Sequence, residues 1–244
     1  MFRTNKNNPL ILNSEIVEWD IKSGNTSIMK YYNLLPDKDI DKLANLSKEK
    51  RVIKVGIMQK DPDFASKLER GFNNAVNLFI ELNKIPEDNI ISIKRDAIFV
   101  KNYSIKYNSL DNIVNFVAKN KYKHFLLIPQ YEFYIGKSFD VKGLPDDKIK
   151  LHDNGMNRFI RDITTIGNNG YSVNKYLKEY LQAYKNKDLI LDHYREYNSD
   201  SQYRLMIEEY STIIDEITED DLNDLDISFN YKNIVLPLTK LFLK

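Results

Sequence analysis

The chain has no cysteine. That single absence excludes disulfides, thiolate zinc sites and thiol catalysis, and it accords with a reducing compartment. Histidine is nearly as scarce: His124, His152 and His193 stand far apart and show no metal-ligand spacing. There is no large excess of charge of either sign. The formal net charge is +1, so no global field draws in nucleic acid, and any such contact has to come from local basic patches. No apolar run approaches the roughly 20 residues that span a bilayer. The opening MFRTNKNNP carries no apolar core of a signal peptide, so the expected location is the cytoplasm of a bacterium or bacterial host, away from membranes. No internal repeat is visible. Alanine and glycine are sparse beside abundant Asn, Lys, Ile and Tyr, a bias typical of AT-rich coding that says little about chemistry.

What is present is an ordinary globular balance of 42% hydrophobic and 29% charged residues over 244 positions, enough for one large domain or two small ones. Glu15–Ile21 alternates apolar and polar residues and reads as a strand. Ser27–Leu35 reads as a short helix stopped by Pro36, and the charged stretch Asp37–Lys50 as helical where Ile40, Leu43 and Leu46 share a face. Arg51–Met58 reads as a strand. Ser66–Asn83 is expected to be a helix, with Leu68, Phe72, Val76 and Phe79 as its apolar stripe, Ser66 as its cap and Pro86 just beyond its end. Ile90–Lys94 and Ala97–Val100 are expected to pair as a hairpin bending near Lys94–Arg95–Asp96. Leu110–Lys119 reads as a helix, and His124–Pro129 and Tyr131–Tyr134 as short strands. From about Asp146 the pattern turns helical, over Leu151–Ile163, Val173–Tyr184, Leu189–Tyr197 and Tyr203–Ile217. The expected fold class is therefore α+β: a mixed unit over residues 1–145, then a mostly helical unit over 146–244. An acid-rich run, Ile207–Asp226, lacks Lys and Arg and reads as a solvated helix face and loop.

Three stretches carry a pattern with chemical meaning. In Asp20–Met29, DIKSGNTSIM, an Asp ends a strand, Ser23 follows three residues on, and Ser27-Ile28 open a helix. In Ser92–Val100, SIKRDAIFV, Asp96 lies in the bend of the expected hairpin. On the helix between them, Arg70-x-x-x-Asn74 places two polar side chains on one face, with Lys67 on the same side. Phosphoryl transfer by two metal ions needs carboxylates held on rigid elements, and a strand end supplies that rigidity.

Together these stretches resemble family B DNA polymerases. Asp20, Ser23, Ser27 and Ile28 match motif A, D-x-x-S-L-Y-P-S-I. Asp96, Ile98, Phe99 and Val100 match the tail of motif C, Y-G-D-T-D-S-I-F-V, with Lys94 in place of its first Asp and the Tyr-Gly missing. Arg70 and Asn74 keep the spacing of motif B, K-x-x-x-N-S, with Arg for Lys. Asp140-Val-Lys142-Gly143 resembles the downstream K-G element, and Lys121-Tyr-Lys123 the basic-aromatic K-K-x-Y element. The order is that of the family, the resemblance runs from Glu15 to Gly143, and nothing corresponds to a proofreading exonuclease.

The resemblance implies a polymerase-like palm with a small fingers insertion over residues 36–85 and a helical thumb after 146. It implies Asp20 and Asp96 as catalytic ligands of Mg²⁺ or Mn²⁺. Ser23, Asn25, Arg70 and Asn74 would contact the nucleoside triphosphate, and Lys121, Lys123 and Lys142 a DNA primer-template. The partners implied are that DNA and, for a split enzyme, a second polymerase subunit. The residue five after the motif A Asp is a Tyr that excludes a 2′-hydroxyl in the family; here it is Asn25. Two functions stand open at this point: a minimal nucleotidyl transferase, or a polymerase-derived binding or structural protein without catalysis. Each residue also has a plainer reading: Asp20 as a turn residue, Arg70 and Asn74 as a solvated helix face, the lysines as a solvated edge, and His124 as a structural histidine.

Overall fold

The computed structural model describes residues 3–128, 131–137 and 139–142, together with Pro237. The expected helices between Leu151 and Ile217 lie outside the described residues. The chain forms two compact units: Met1–Asn8 with Ser14–Tyr122, and Pro9–Asn13 with Lys123–Lys244. The division thus falls at Tyr122, ahead of the change in composition near Asp146, because strand β7 continues from the first unit into the second.

In the first unit, β1 (Arg3–Thr4), β4 (Ile90–Lys94), β5 (Ala97–Lys101), β3 (Ile16–Ile21) and β7 (Val114–Ile128) lie side by side in that order. Each pair is antiparallel. Between β3 and β4 the chain makes four helices, α1 (Gly24–Tyr31), α2 (Asp37–Ala44), α3 (Lys48–Met58) and α4 (Pro62–Asn83). Their buried residues join Ile21, Ile93, Ile98, Val100, Val114 and Phe116 of the sheet in one core. Side chains alternate across a strand, so Trp19 and Ile21 of β3 serve this core while Glu18 and Asp20 lie on the opposite face.

Helix α4 has the expected stripe, with Leu68, Phe72, Val76 and Phe79 all buried. It begins earlier than Ser66. The Asp61 carboxylate accepts the Asp63 N–H at 3.0 Å, and Pro62 occupies the first turn, where its missing N–H costs nothing. Phe79 stacks on Phe116 at 4.0 Å between centroids, tying α4 to the sheet. At the far end, buried Asn83 donates to the Phe79 and Tyr107 carbonyls and accepts from the Lys106 and Tyr107 N–H groups.

Two expectations are corrected. Arg51–Met58 is helical, not a strand: its density of β-branched residues suggested a sheet, but only Val55 is buried. Short connections hold it between α2 and α4, and Ser47 accepts the Lys50 N–H as its cap. Leu110–Lys119 is not a helix. Asp111 and Asn112 take the left-handed conformation, φ 47° and 57°, which short Asn and Asp side chains tolerate. They turn β6 (Ser109–Leu110) back onto β7, pairing Leu110 with Val114. The Ile113, Val114, Phe116, Val117 spacing mimicked a helical stripe, but Val114 and Phe116 are alternate residues of a strand, both buried in the core. The hairpin of β4 and β5 forms as expected, its turn confined to Arg95–Asp96 because Lys94 pairs with Ala97.

In the second unit, β2 (Leu10–Ile11) pairs with Leu126 and Phe125 of β7. β8 (Tyr131–Gly136) pairs with β9 (Phe139–Lys142). His124 is buried, and its Nδ1 accepts the Asn13 N–H at 3.3 Å, the role of a structural histidine.

Candidate functional site

β3 and β5 end together. Asp20 is registered against Ala97, and the Ile21 N–H donates to the Asp96 carbonyl at 2.9 Å. A strand end and the adjoining two-residue turn thereby hold the backbone of Asp96 beside that of Asp20 and Ile21. The N-terminus of α1 lies against the turn that carries Asp96. A Cβ placed on Gly24 would lie 3.0 Å from Phe72 Cε1 and 3.6 Å from Asp96 Cβ, so α1, α4 and the turn meet at this point.

The cation beside these acids is Lys119. Its Nζ lies 3.0 Å from Asp20 Oδ2 and 3.7 Å from Glu18 Oε1. It reaches them because β7 bulges: Glu18 pairs with Asn120 and Trp19 with Ala118, leaving Lys119 as the extra residue. An extra residue in one strand re-aims its own side chain. The Lys119 ammonium is held above its ordinary pKa, chiefly by its hydrogen bond to Asp20, with further attraction from Glu18 and Asp96 outweighing the opposing effect of burial. Glu18 is only 2% exposed. Its Oε2 accepts from Asn120 Nδ2 at 2.6 Å and from the Tyr122 hydroxyl at 3.1 Å. A buried carboxylate needs such donors; Glu18 thus fixes the floor of the cluster. The Asp96 carboxylate has no hydrogen-bond or ion-pair partner among the described residues.

The rest of the expected site is dispersed. Ser23 caps α1 in the left-handed conformation, φ 54°, without a side-chain cap bond. Its carbonyl takes the Ser27 N–H and the Thr26 hydroxyl. Asn25 lies in the first turn, and its Oδ1 is buried without a hydrogen-bond partner. Arg70 and Asn74 are exposed and lie on the side of α4 opposite its buried stripe, so the helix does not bring them to the carboxylates. Glu69 and Phe72 face the turn instead. Arg95 stacks its guanidinium 4.6 Å over the Phe72 ring, with Nε 3.4 Å from Glu69 Oε2. Its Nη2 is buried and unbonded. Lys94 Nζ lies 3.4 Å from the Thr4 hydroxyl across β4 and β1. Lys121 is exposed and reaches Glu15 at 3.3 Å. Lys123 and Lys142 belong to the second unit, the former exposed, the latter 2.7 Å from Asp140.

Glu18, Arg95 and Lys119 were not among the expected site residues. Glu18 had a signal: it precedes Asp20 by two on a strand, hence shares its face. Arg95 adjoins Asp96. Lys119 had none, since its segment read as a helix.

Among the described residues no group of three or more Asp, Glu or His side chains is placed to hold a metal by itself.

The family model of the Bacteriophage PBS1 gene 130 protein matches residues 2–244, and the chain belongs to that family. No curated protein matches it. Among the described residues, no helix is long and apolar enough to cross a membrane.

Proposed function

We propose that this protein is a compact polymerase-type palm that carries out template-directed nucleotidyl transfer, alone or as the catalytic part of a split enzyme. The observation that carries the reading is the juxtaposition of Asp20 and Asp96 on antiparallel neighbours, in the motif order of the sequence. α2, α3 and α4 take the place of reduced fingers. The family's phage name accords with action in a bacterial host.

In this reading Asp20 and Asp96 hold Mg²⁺ or Mn²⁺, which when bound stabilises charge on the phosphoryl group under transfer. The first turn of α1 offers backbone N–H groups unclosed by a side-chain cap, and Arg95 offers an unbonded Nη2. Both suit a triphosphate. Arg95 thus replaces Arg70 and Asn74, which are turned away. Asn25 sits beside the sugar, and Lys121 contacts the nucleic-acid backbone. Lys119 pairs with Asp20 and Glu18 until substrate draws it off.

A second reading rests on that same lysine. An ammonium 3.0 Å from Asp20 neutralises the site, as expected of a palm that keeps nucleic-acid binding and has lost catalysis. Primer extension on DNA and RNA templates with Mg²⁺ or Mn²⁺, paired with Mn²⁺ titration, separates the two. Extension abolished by Asp20→Asn and by Asp96→Asn supports the enzyme. Primer-template binding without extension or Mn²⁺ uptake supports the silent palm. Extension that survives Asp20→Asn overturns the assignment.

A further inference from the structure

α3 shows water a face that a lone helix has no reason to keep. Val52, Ile53 and Ile57 are 56%, 64% and 59% exposed, while Val55 is buried and Met58 packs against the core. At helical spacing Val52, Ile53, Gly56 and Ile57 form one continuous outward patch. Gly56 sits at its centre, where an added Cβ would meet nothing within 4 Å. A glycine inside a helix costs about 1 kcal/mol relative to alanine. A bare notch among aliphatic side chains lets another backbone approach closely.

The rim of the patch is basic. On α3 itself Lys48, Lys50 and Lys54 are exposed, against a single acid, Glu49. None of these lysines makes an ion pair among the described residues. A face with an apolar centre, a glycine notch and unpaired lysines around it is complementary to one shape: a helix with an apolar stripe flanked by carboxylates. A nucleic-acid backbone would pair with the lysines but leave Val52, Ile53 and Ile57 in water.

We propose that the outer face of α3 is the docking surface for an acidic amphipathic helix of a partner protein. The surface is independent of the carboxylate cluster and does not depend on the polymerase reading. The test uses the full chain and a fluorescein-labelled synthetic three-heptad helix, with leucine at a and d and glutamate elsewhere. Its lysine counterpart and a single-stranded oligonucleotide serve as competitors. Anisotropy should rise with the glutamate peptide and not with the lysine peptide, and the affinity should fall with added salt. Ile53→Glu should weaken binding by more than about tenfold, Lys50→Glu/Lys54→Glu by about tenfold, and a bulky Gly56→Leu should block close approach. All these positions are exposed, so unchanged circular dichroism and melting keep the comparison clean. The proposal is overturned if the glutamate peptide does not bind, or if Ile53→Glu leaves its binding intact. It is equally overturned if the oligonucleotide displaces the peptide through these residues, or if sedimentation shows an Ile53-dependent dimer, which would make a second copy the occupant.

Discussion

Replacing Lys119 by methionine keeps the length of the side chain and removes its charge. The ammonium lies 3.0 Å from Asp20 and 3.7 Å from Glu18, but its side chain is 53% exposed. Water therefore screens the pair, and its loss should cost no more than about 1 kcal/mol, a melting shift of roughly 2–4 °C. Glu18 keeps Asn120 and Tyr122 as donors, so the buried carboxylate is not stranded. The effect on a divalent ion should be larger. A unit charge about 4 Å from a doubly charged ion in water-like surroundings repels it by about 2 kcal/mol. Lys119→Met should accordingly bind Mn²⁺ about thirtyfold more tightly in the presence of a nucleotide, read from the free-ion signal in electron paramagnetic resonance. Its alkaline behaviour should change too. The folded-state pKa of Lys119 is raised above 10.5, so its contribution is complete below that pH and lost as pH climbs through the folded value. The variant should lose that part of the alkaline decline in melting temperature. Unchanged Mn²⁺ affinity, with the fold intact, would refute the claim that Lys119 competes with a cation for Asp20 and Asp96.

Two glycines should respond oppositely to alanine. At Gly71 the new Cβ would sit 2.6 Å from Ile28 Cγ2 and 3.1 Å from Tyr32 Cδ2; overpacking there should outweigh the gain in helix propensity and cost about 1–3 kcal/mol by urea denaturation. At Gly56 nothing obstructs the Cβ, and the isolated protein should gain about 0.5–1 kcal/mol. His124 is held below its ordinary pKa of 6.5, first by burial and then by Lys123. The stabilisation is therefore complete above pH 6.5 and lost as pH falls through the folded value; His124→Gln should remove that acid-side loss in thermal melts monitored from pH 7 to 5. Finally, competition between paired nucleotides should show weak exclusion of ribonucleotides by wild type and stronger exclusion by Asn25→Tyr, because an amide can hydrogen-bond a 2′-hydroxyl that a ring would repel. Strong exclusion by wild type would place the gate at another residue.

Much was legible in the linear pattern because it depends on local chemistry. The alternation of Ile16–Ile21 makes a strand, the stripe of Leu68, Phe72, Val76 and Phe79 makes α4, and Lys94–Ala97 makes a hairpin turn. Those elements sufficed to bring Asp20 beside Asp96, since a strand and a hairpin carrying them share one sheet. The remainder depended on partners distant in sequence. Arg51–Met58 is helical because Val52, Ile53 and Ile57 find no sheet to join, while Val55 packs in the core. Residues 110–119 form a turn and a strand because Asp111 and Asn112 accept positive φ and β3 offers an edge. Lys119 reaches Asp20 only through a register shift between β3 and β7, and neither strand's own sequence records a shift in their pairing. Arg70 and Asn74 have the right spacing, but spacing cannot say which side of α4 the core will claim; Phe72, Val76 and Phe79 settle that by burial. Sequence by itself determined which residues could do chemistry, because composition and period are local; tertiary structure alone decided which of them meet, because burial and register are properties of pairs.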